Sequence, residues 1–266
     1  MQVKEVTIEY RMSDRFKIYT IGDEHIGTLY HDEDGLRAKI KEIKNDPLAL
    51  WVGMGDKAEF ITPSDPRWTF GVIPEWLSAD NIAEEQEDRY CEMYDSIKGK
   101  CLGLLEGNHE DAIRIHSHID VQKNICKKLG VDSLGYSCFL ILKFKRRHSN
   151  EVHTVRGFLT HGSGGGITKG AKLNRLQRLM DAFEADFYAH GHVHDIITDV
   201  KPYLGLDSNN RIKHKIKVGA MTGCWFRTYT QDVRASYGER KNYPATVIGC
   251  PLFKIDPNTA TVSIER

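Results

Sequence analysis

The chain has 266 residues, 40% of them hydrophobic and 28% charged, with 37 basic and 37 acidic side chains that cancel at neutral pH. This is the composition of a globular protein, long enough for one large domain or two small ones with a sizeable core, and it excludes a disordered or low-complexity chain. No net charge calls for a polyanionic partner, although a balanced total hides how the charge is distributed.

In chain order, Val3 to Tyr10 and Phe16 to Ile21 read as strands, the second running into Gly22-Asp23. Apolar residues at 36, 40 and 43 predict a helix over Leu36 to Ile43. Leu48 to Met54 reads as a short buried strand ending at Gly55-Asp56, Ala83 to Ile97 as a charged helix, and Cys101 to Leu105 as a buried strand ending at Gly107-Asn108-His109. Ile113 to Leu129 reads as one helix. Ser137 to Lys145 and Val152 to Thr160 then pair around a Ser149-Asn150 turn. Leu173, Leu176, Leu179, Met180 and Phe183 share one helix face, followed by a strand over Asp186 to Ala189. The remainder reads as strands over Ile197 to Tyr203, Ile212 to Ala220, Ala245 to Ile255 and Thr261 to Ile264. Alternating strands and helices followed by hairpins suit a layered α/β protein with two packed sheets. No Pro/Gly/Ser linker divides the chain, so residues 1–266 read as a single domain.

The six cysteines (Cys91, Cys101, Cys126, Cys138, Cys224, Cys250) form no CxxC pair and read as buried free thiols. Met1-Gln2-Val3-Lys4-Glu5 has no apolar signal core, and no run approaches the ~20 apolar residues of a membrane span. The expectation is a cytoplasmic protein with no membrane partner, of a kind a phage or other mobile element could encode.

Five short blocks carry the chemistry: Gly22-Asp23-Glu24-His25, Gly55-Asp56, Gly107-Asn108-His109-Glu110, Thr160-His161-Gly162 and Gly191-His192-Val193-His194. Each follows a predicted strand, and in α/β sheets ligands gather beyond the carboxyl ends of strands. Singly, each has a plain reading: a turn with a capping Asp, a helix N-cap at Asn108, a structural histidine at His161. Jointly they supply oxygen and imidazole donors from five loops, the set that a pair of hard-to-borderline metal ions requires.

The ordered pattern DxH, GD, GNH[DE], H, GHxH resembles that of the calcineurin-like metallophosphoesterase superfamily, matched without a gap from Asp23 to His194. The resemblance implies a four-layer α/β/β/α sandwich of two mixed β-sheets, with the metal site at the carboxyl ends of the strands. It implies that Asp23, His25 and His194 hold one metal, that Asn108, His161 and His192 hold the other, and that Asp56 bridges both. It leaves His109 free to face the substrate, stabilising phosphoryl charge or protonating the leaving oxygen while a metal-bridging hydroxide attacks phosphorus. Mixed N/O ligation suits two divalent ions, Mn²⁺ preferred, with Fe, Zn²⁺, Co²⁺ and Ni²⁺ also compatible. Glu110 reads either as support behind the ligands or as a solvated helix-start carboxylate, and His190 as support or structure.

Around this set lie candidate substrate contacts. The segment after Asp56 is rich in aromatics and proline (Phe60, Pro63, Pro66, Trp68, Phe70, Pro74, Trp76), which either stack a nucleobase or pin a long loop. Gly162-Ser163-Gly164-Gly165-Gly166, followed by Lys169, Lys172 and Arg175, either cradles phosphate or threads tightly past the metals. Trp225-Phe226-Arg227 offers either a stacking or anion contact or core packing. The basic hairpin Lys143 to His148 reads as a solvated turn, or in a nuclease as a backbone contact. Trp68, Gly164, Lys169 and Arg227 are the resulting substrate-binding candidates.

The function expected is a phosphodiesterase acting on DNA, RNA or a nucleotide, with the oligomeric state open and a homodimer one option. A phosphomonoesterase is the alternative. Its protein phosphatase branch typically has GDxxDRG, where this chain has Gly55-Asp56-Lys57-Ala58-Glu59-Phe60. A non-catalytic scaffold would have lost ligands, and none is lost.

Overall fold

The computed structural model describes residues 1–65, 67–69, 71–207 and 209–265. From the N-terminus come β1 (Gln2–Tyr10), β2 (Phe16–Ile21), α1 (Glu33–Asn45), β3 (Ala49–Gly53), α2 (Ile82–Tyr94), β4 (Cys101–Leu105), α3 (Asn108–Ser117), α4 (Val121–Leu129) and β5 (Ser133–Gly135). There follow β6 (Ser137–Arg146), β7 (Val152–Thr160), α5 (Lys169–Ala182), β8 (Phe187–His190), β9 (Ile196–Leu206), β10 (Ile212–Thr222), α6 (Tyr237–Arg240), β11 (Leu252–Asp256) and β12 (Thr261–Glu265).

The strands form two six-stranded mixed sheets, ordered β1-β6-β7-β8-β10-β9 and β12-β11-β2-β3-β4-β5. In the second, β2, β3, β4 and β5 run parallel. In the first, β7, β8 and β10 do. β6 alternates inward and outward residues along its length, and Leu140, Leu142 and Phe144 enter a core shared with Val52, Leu105 and Phe253 of the other sheet. Such period-two burial is what holds one sheet face against another.

The outer layers follow the same logic with a helical period. Leu36, Ile40 and Ile43 of α1 pack with residues of α2 and α4 on one sheet, around Trp51 and Tyr90. Leu176 and Met180 of α5 pack on the other, against Phe158 and Tyr188. The result is the four-layer α/β/β/α sandwich, and no helix among the described residues is long and apolar enough to cross a membrane.

Three local expectations are corrected, and one short strand was not foreseen. Ile113 to Leu129 is not one helix: α3 begins earlier, at Asn108, and ends at His118, which is left-handed (φ 58°), after which Asp120 caps α4 by accepting from the Lys123 N–H. The predicted helix to Ile97 stops as an α-helix at Tyr94 and tightens into a 3₁₀ turn over Asp95–Lys100. The strand expected from Ala245 begins only at Leu252, because Pro244, Gly249 (φ 127°) and Pro251 interrupt it. β5, three residues long, carries too little pattern to announce itself.

Candidate metal centre

The five blocks meet because their strands point the same way. β2, β3 and β4 deliver Asp23 and His25, Asp56, and Asn108 and His109 from one sheet, while β7 and β8 deliver His161, His192 and His194 from the other. Turning these side chains onto one point takes unusual backbone. Asp23, His25, Asp56, His192 and His194 all adopt left-handed conformations, with φ between 48° and 67°. A non-glycine residue there costs about 1–3 kcal/mol, so five together persist only where the surroundings hold them.

Bonds between loops do the holding. The Asp23 N–H donates to Gly55 O (2.9 Å), and His25 N–H to Asp56 O (3.2 Å). The His109 N–H donates to Asp56 Oδ1, and the His192 N–H to Asp23 Oδ2, both at 2.9 Å. Gly107 lies so close to the Asp56 loop that a Cβ there would sit 2.2 Å from Asp56 Oδ1, which explains why this block needs its glycine.

Two groups of ligand atoms result, each within 4.8 Å: Asp23, His25 and His194, and Asp56, His161 and His192. A third such group, His25, Asp56 and His109, puts the Asp56 carboxylate within reach of the first group as well. Asn108 joins the second group, its Oδ1 lying 3.1 Å from His161 Nε2.

The protonation of the rings argues for cations. His25 Nδ1 faces the Glu59 carboxylate at 2.8 Å and must carry its hydrogen there, so in the neutral ring Nε2 presents a lone pair, 3.0 Å from His194 Nε2. His161 Nδ1 likewise donates to Met54 O (2.8 Å), which turns the Nε2 lone pair towards Asn108 Oδ1 and Asp56 Oδ2 (3.3 Å). Acceptors facing acceptors repel unless positive charge lies between them. For the chain alone, a proton supplies that charge. Burial lowers the pKa of His161, but the Asp56 and Asp23 carboxylates and the Met54 carbonyl outweigh it and raise it to about 10. Burial also works against ionisation of Asp56 and Asp23, yet the surrounding imidazoles hold Asp56 well below the carboxylate range and His194 brings Asp23 down. Among the described residues, Asp23 Oδ1 and His192 Nδ1 are buried without a hydrogen-bond partner, His194 Nε2 standing 3.3 Å from the former. Two unsatisfied donor atoms in one oxygen- and imidazole-lined site fit divalent ions.

Behind the ligands stand Glu110 and several residues that motif reading passed over. Glu59 takes the His25 Nδ1 hydrogen on its side chain and the His109 Nδ1 hydrogen (2.5 Å) on its backbone carbonyl, orienting both rings. Glu110 is fully enclosed and accepts from the backbone N–H groups of Gly107 (2.8 Å), Asp56 (3.1 Å) and Lys57 (2.8 Å). Lys57, completely buried, donates to Glu110 (3.2 Å), Gln122 (2.7 Å) and Leu105 O (2.7 Å). A GD block followed by a lysine in an apolar setting was the only available signal for it. Glu24 is buried with its Oε2 unpartnered, and burial raises it to about 8 despite Lys57 and a hydrogen bond from Tyr94. His190 joins neither ligand group; it donates to Gly191 O (2.7 Å), and burial lowers it to about 4.

His109 is buried beside this cluster, its ring meeting that of His25 edge-on at 4.8 Å. Burial lowers its pKa, but Asp56 and Glu59 more than compensate and raise it. It also faces a cavity of about 980 Å³ that opens over the ligands. Trp68 and Gly164 line that cavity; Lys169 and Arg227 do not. Lys169 is exposed at the start of α5, and Arg227 pairs with Asp32 at the cap of α1. Phe226 packs on the rings of His25 (5.1 Å) and His194 (5.7 Å), while Trp225 is buried. In the aromatic segment Phe60 is buried and Arg89 lies over Trp76 (5.4 Å), whereas Pro66 and Phe70 fall outside the described residues. The basic hairpin joins β6 to β7 at the end of the sheet away from the metal centre. Its Lys143, Arg146 and Arg147 pair with Glu5, Glu151 and Glu9.

No protein-family model and no curated protein matches this sequence. Among solved structures, similarity extends to a conserved uncharacterized protein, a predicted phosphoesterase, from Streptococcus pneumoniae TIGR4 (10% identity, 91% of this chain, 83% of that chain, TM-score 0.35). It extends also to Vps29 of Chaetomium thermophilum (13% identity, 94% of each chain, TM-score 0.34). At such scores the fold class rests on the two sheets and their flanking helices, and the chemistry on the ligand cluster. The architecture agrees with the calcineurin-like metallophosphoesterase resemblance, and His and Asp residues of its pattern cluster in space.

Proposed function

We propose that this chain is a dinuclear metal-dependent phosphoesterase, and that its substrate is a phosphodiester of nucleic acid or of a nucleotide. The observation that carries this reading is Asp56, whose carboxylate lies within ligand distance of both His25 and the His161–His192 pair. Asp23, His25 and His194 would hold one divalent ion, Asn108, His161 and His192 the other, and Asp56 would be shared. What two such ions supply when bound is an acidified water and charge neutralisation on a phosphoryl group.

The chain's own residues do the rest. Glu59 and Met54 O fix the ring tautomers, so that His25 and His161 each present Nε2. His109 is buried beside Asp56, and the Asp56 and Glu59 charges raise its pKa; it can deliver a proton from Nε2 to a departing alkoxide, since Nδ1 is committed to Glu59 O. The alkoxide that leaves an unactivated nucleotide ester is strongly basic, so a positioned acid matters for its departure. The cavity also has aromatic walls at Trp68 and Phe226 to accommodate the second ester group.

The test is a Mn²⁺-activated panel of a chromogenic diester, its monoester, single-stranded DNA, RNA and cyclic nucleotides. Faster hydrolysis of diester than monoester is expected. The reverse order would assign the chain to phosphomonoesterases, and no hydrolysis with both sites filled would contradict an enzyme altogether.

A further inference from the structure

The far wall of the cavity is built by a segment of which the chemistry above uses only Phe226. Residues 223–251 pass from β10 to β11 with only the four-residue α6 as regular structure, a length of irregular chain that usually serves a binding role in a compact protein. The segment is nevertheless held in place. Tyr30 Oη donates to Arg234 O (2.7 Å), Tyr229 Oη to Tyr243 O (2.7 Å), and the buried Ser236 hydroxyl to Thr228 O (2.6 Å).

What this anchored wall presents is specific. Arg234, Tyr237, Arg240 and Tyr243 all line the cavity and all are exposed. Of the four basic residues lining it, Arg67 is paired with Asp65 and Lys172 with Asp195. Arg234 and Arg240 have no ion-pair partner among the described residues. The lining carboxylates, Asp56 and Glu59, sit at the metal end. The unneutralised positive charge of the cavity therefore belongs to its C-terminal wall. Beside it, Tyr237 and Tyr243 meet edge-on at 6.0 Å, and Trp68 lines the same space.

We infer that this wall binds the nucleotide flanking the scissile phosphate of a single-stranded nucleic acid, with Arg234 and Arg240 on the neighbouring phosphate and Tyr237 and Tyr243 against its base. Guanidinium groups match phosphate oxygens, and aromatic faces accept any unpaired base. A duplex keeps its bases stacked on one another and offers no free face. A cavity of about 980 Å³ stands at the upper end of small-ligand sites, more room than a lone phosphate ester needs. The inference rests on the phosphodiesterase reading for its orientation, but the binding surface can be tested apart from turnover.

The experiment is fluorescence anisotropy of a labelled, hydrolysis-resistant phosphorothioate dT oligonucleotide with the full chain in Mn²⁺, across a salt series. Arg234→Ala/Arg240→Ala should weaken binding about ten-fold or more and flatten the salt dependence, each lost phosphate contact lowering the slope. Tyr237→Ala/Tyr243→Ala should weaken binding comparably and leave the slope intact. Arg234→Lys/Arg240→Lys and Tyr237→Phe/Tyr243→Phe, which keep charge and ring, should recover most of the affinity, separating recognition from misfolding. In turnover, both alanine pairs should lose at least ten-fold more on the oligonucleotide than on the chromogenic diester. Affinities within two-fold of the parent for both pairs would overturn the inference, as would competition by dTMP at the oligonucleotide's own concentration. Diester hydrolysis without oligonucleotide binding would refute the surface and spare the phosphodiesterase reading. The predicted binding pattern without hydrolysis of any diester would do the opposite.

Discussion

The two sheets contribute to the metal centre in different ways. Loops after β2, β3 and β4 are laced together: Glu110 alone accepts three backbone N–H groups from two of them, Lys57 ties that carboxylate to Gln122, and the Asp23 and His25 N–H groups reach across to Gly55 and Asp56. Loops after β7 and β8 bring three histidines but are attached to the other half chiefly through His161 Nδ1 on Met54 O and the His192 N–H on Asp23 Oδ2. One half is a rigid seat for Asp56; the other closes on it. Metal affinity should therefore depend on the first half for geometry and four of the seven donors, and on the second for the three imidazoles that complete the set.

The largest effect on activity is expected where the seat faces the substrate. His109→Ala should retain two metals while diester hydrolysis falls by about two orders of magnitude or more, read from steady-state kinetics beside a metal assay. Loss of metal in that variant would make His109 a ligand instead. On stability the seat should dominate. Glu110→Ala leaves the Lys57 ammonium buried without its carboxylate, a loss of about 3–5 kcal/mol in urea unfolding. An unfolding midpoint close to the parent's would show that Lys57 has no need of that partner.

Smaller and one-sided is Glu59→Ala, which removes the acceptor behind His25. Metal on the Asp23–His25–His194 side should weaken about 10–100-fold while the His161–His192 side holds. Equal weakening of both would mean that the halves are not separable. Last comes a change of slope with pH. Glu24 ionises near 4.5 when unfolded but near 8 when folded, so its neutral form adds stability that is complete below about pH 4.5 and is lost as the pH rises through about 8. Glu24→Gln should flatten that decline, measured as unfolding free energy from pH 5 to 9; an unchanged slope would place the proton elsewhere.

The seat and the closing half also differ in how legible they were. Every ligand block follows an apolar run stopped by glycine or turn residues, so strand ends such as Ile21, Leu105 and Thr160 could be placed from pattern alone, and with them Asp23, Asn108 and His161. Left-handed backbone at Asp23, His25, Asp56, His192 and His194 could not, because nothing local distinguishes a strained aspartate from a relaxed one. Lys57 and Glu59 were missed for a related reason. Charged side chains beside a motif are ordinarily solvated, and only the fold shows that one is buried on Glu110 and the other turned to His25. Arg227 shows the converse error: adjacent to Phe226, which does enter the site, it turns away to Asp32. The wall from 228 to 246 has neither period nor motif, and its place over the metals follows from tertiary bonds such as Tyr30 to Arg234 O.

The shared carboxylate is tested most directly by counting metal. Calorimetric titration of metal-stripped chain with Mn²⁺ should show two ions bound, and Asp56→Asn should weaken both together, leaving neither site tight. One tight ion retained in that variant, or a single ion in the parent chain, would contradict a dinuclear centre joined at Asp56.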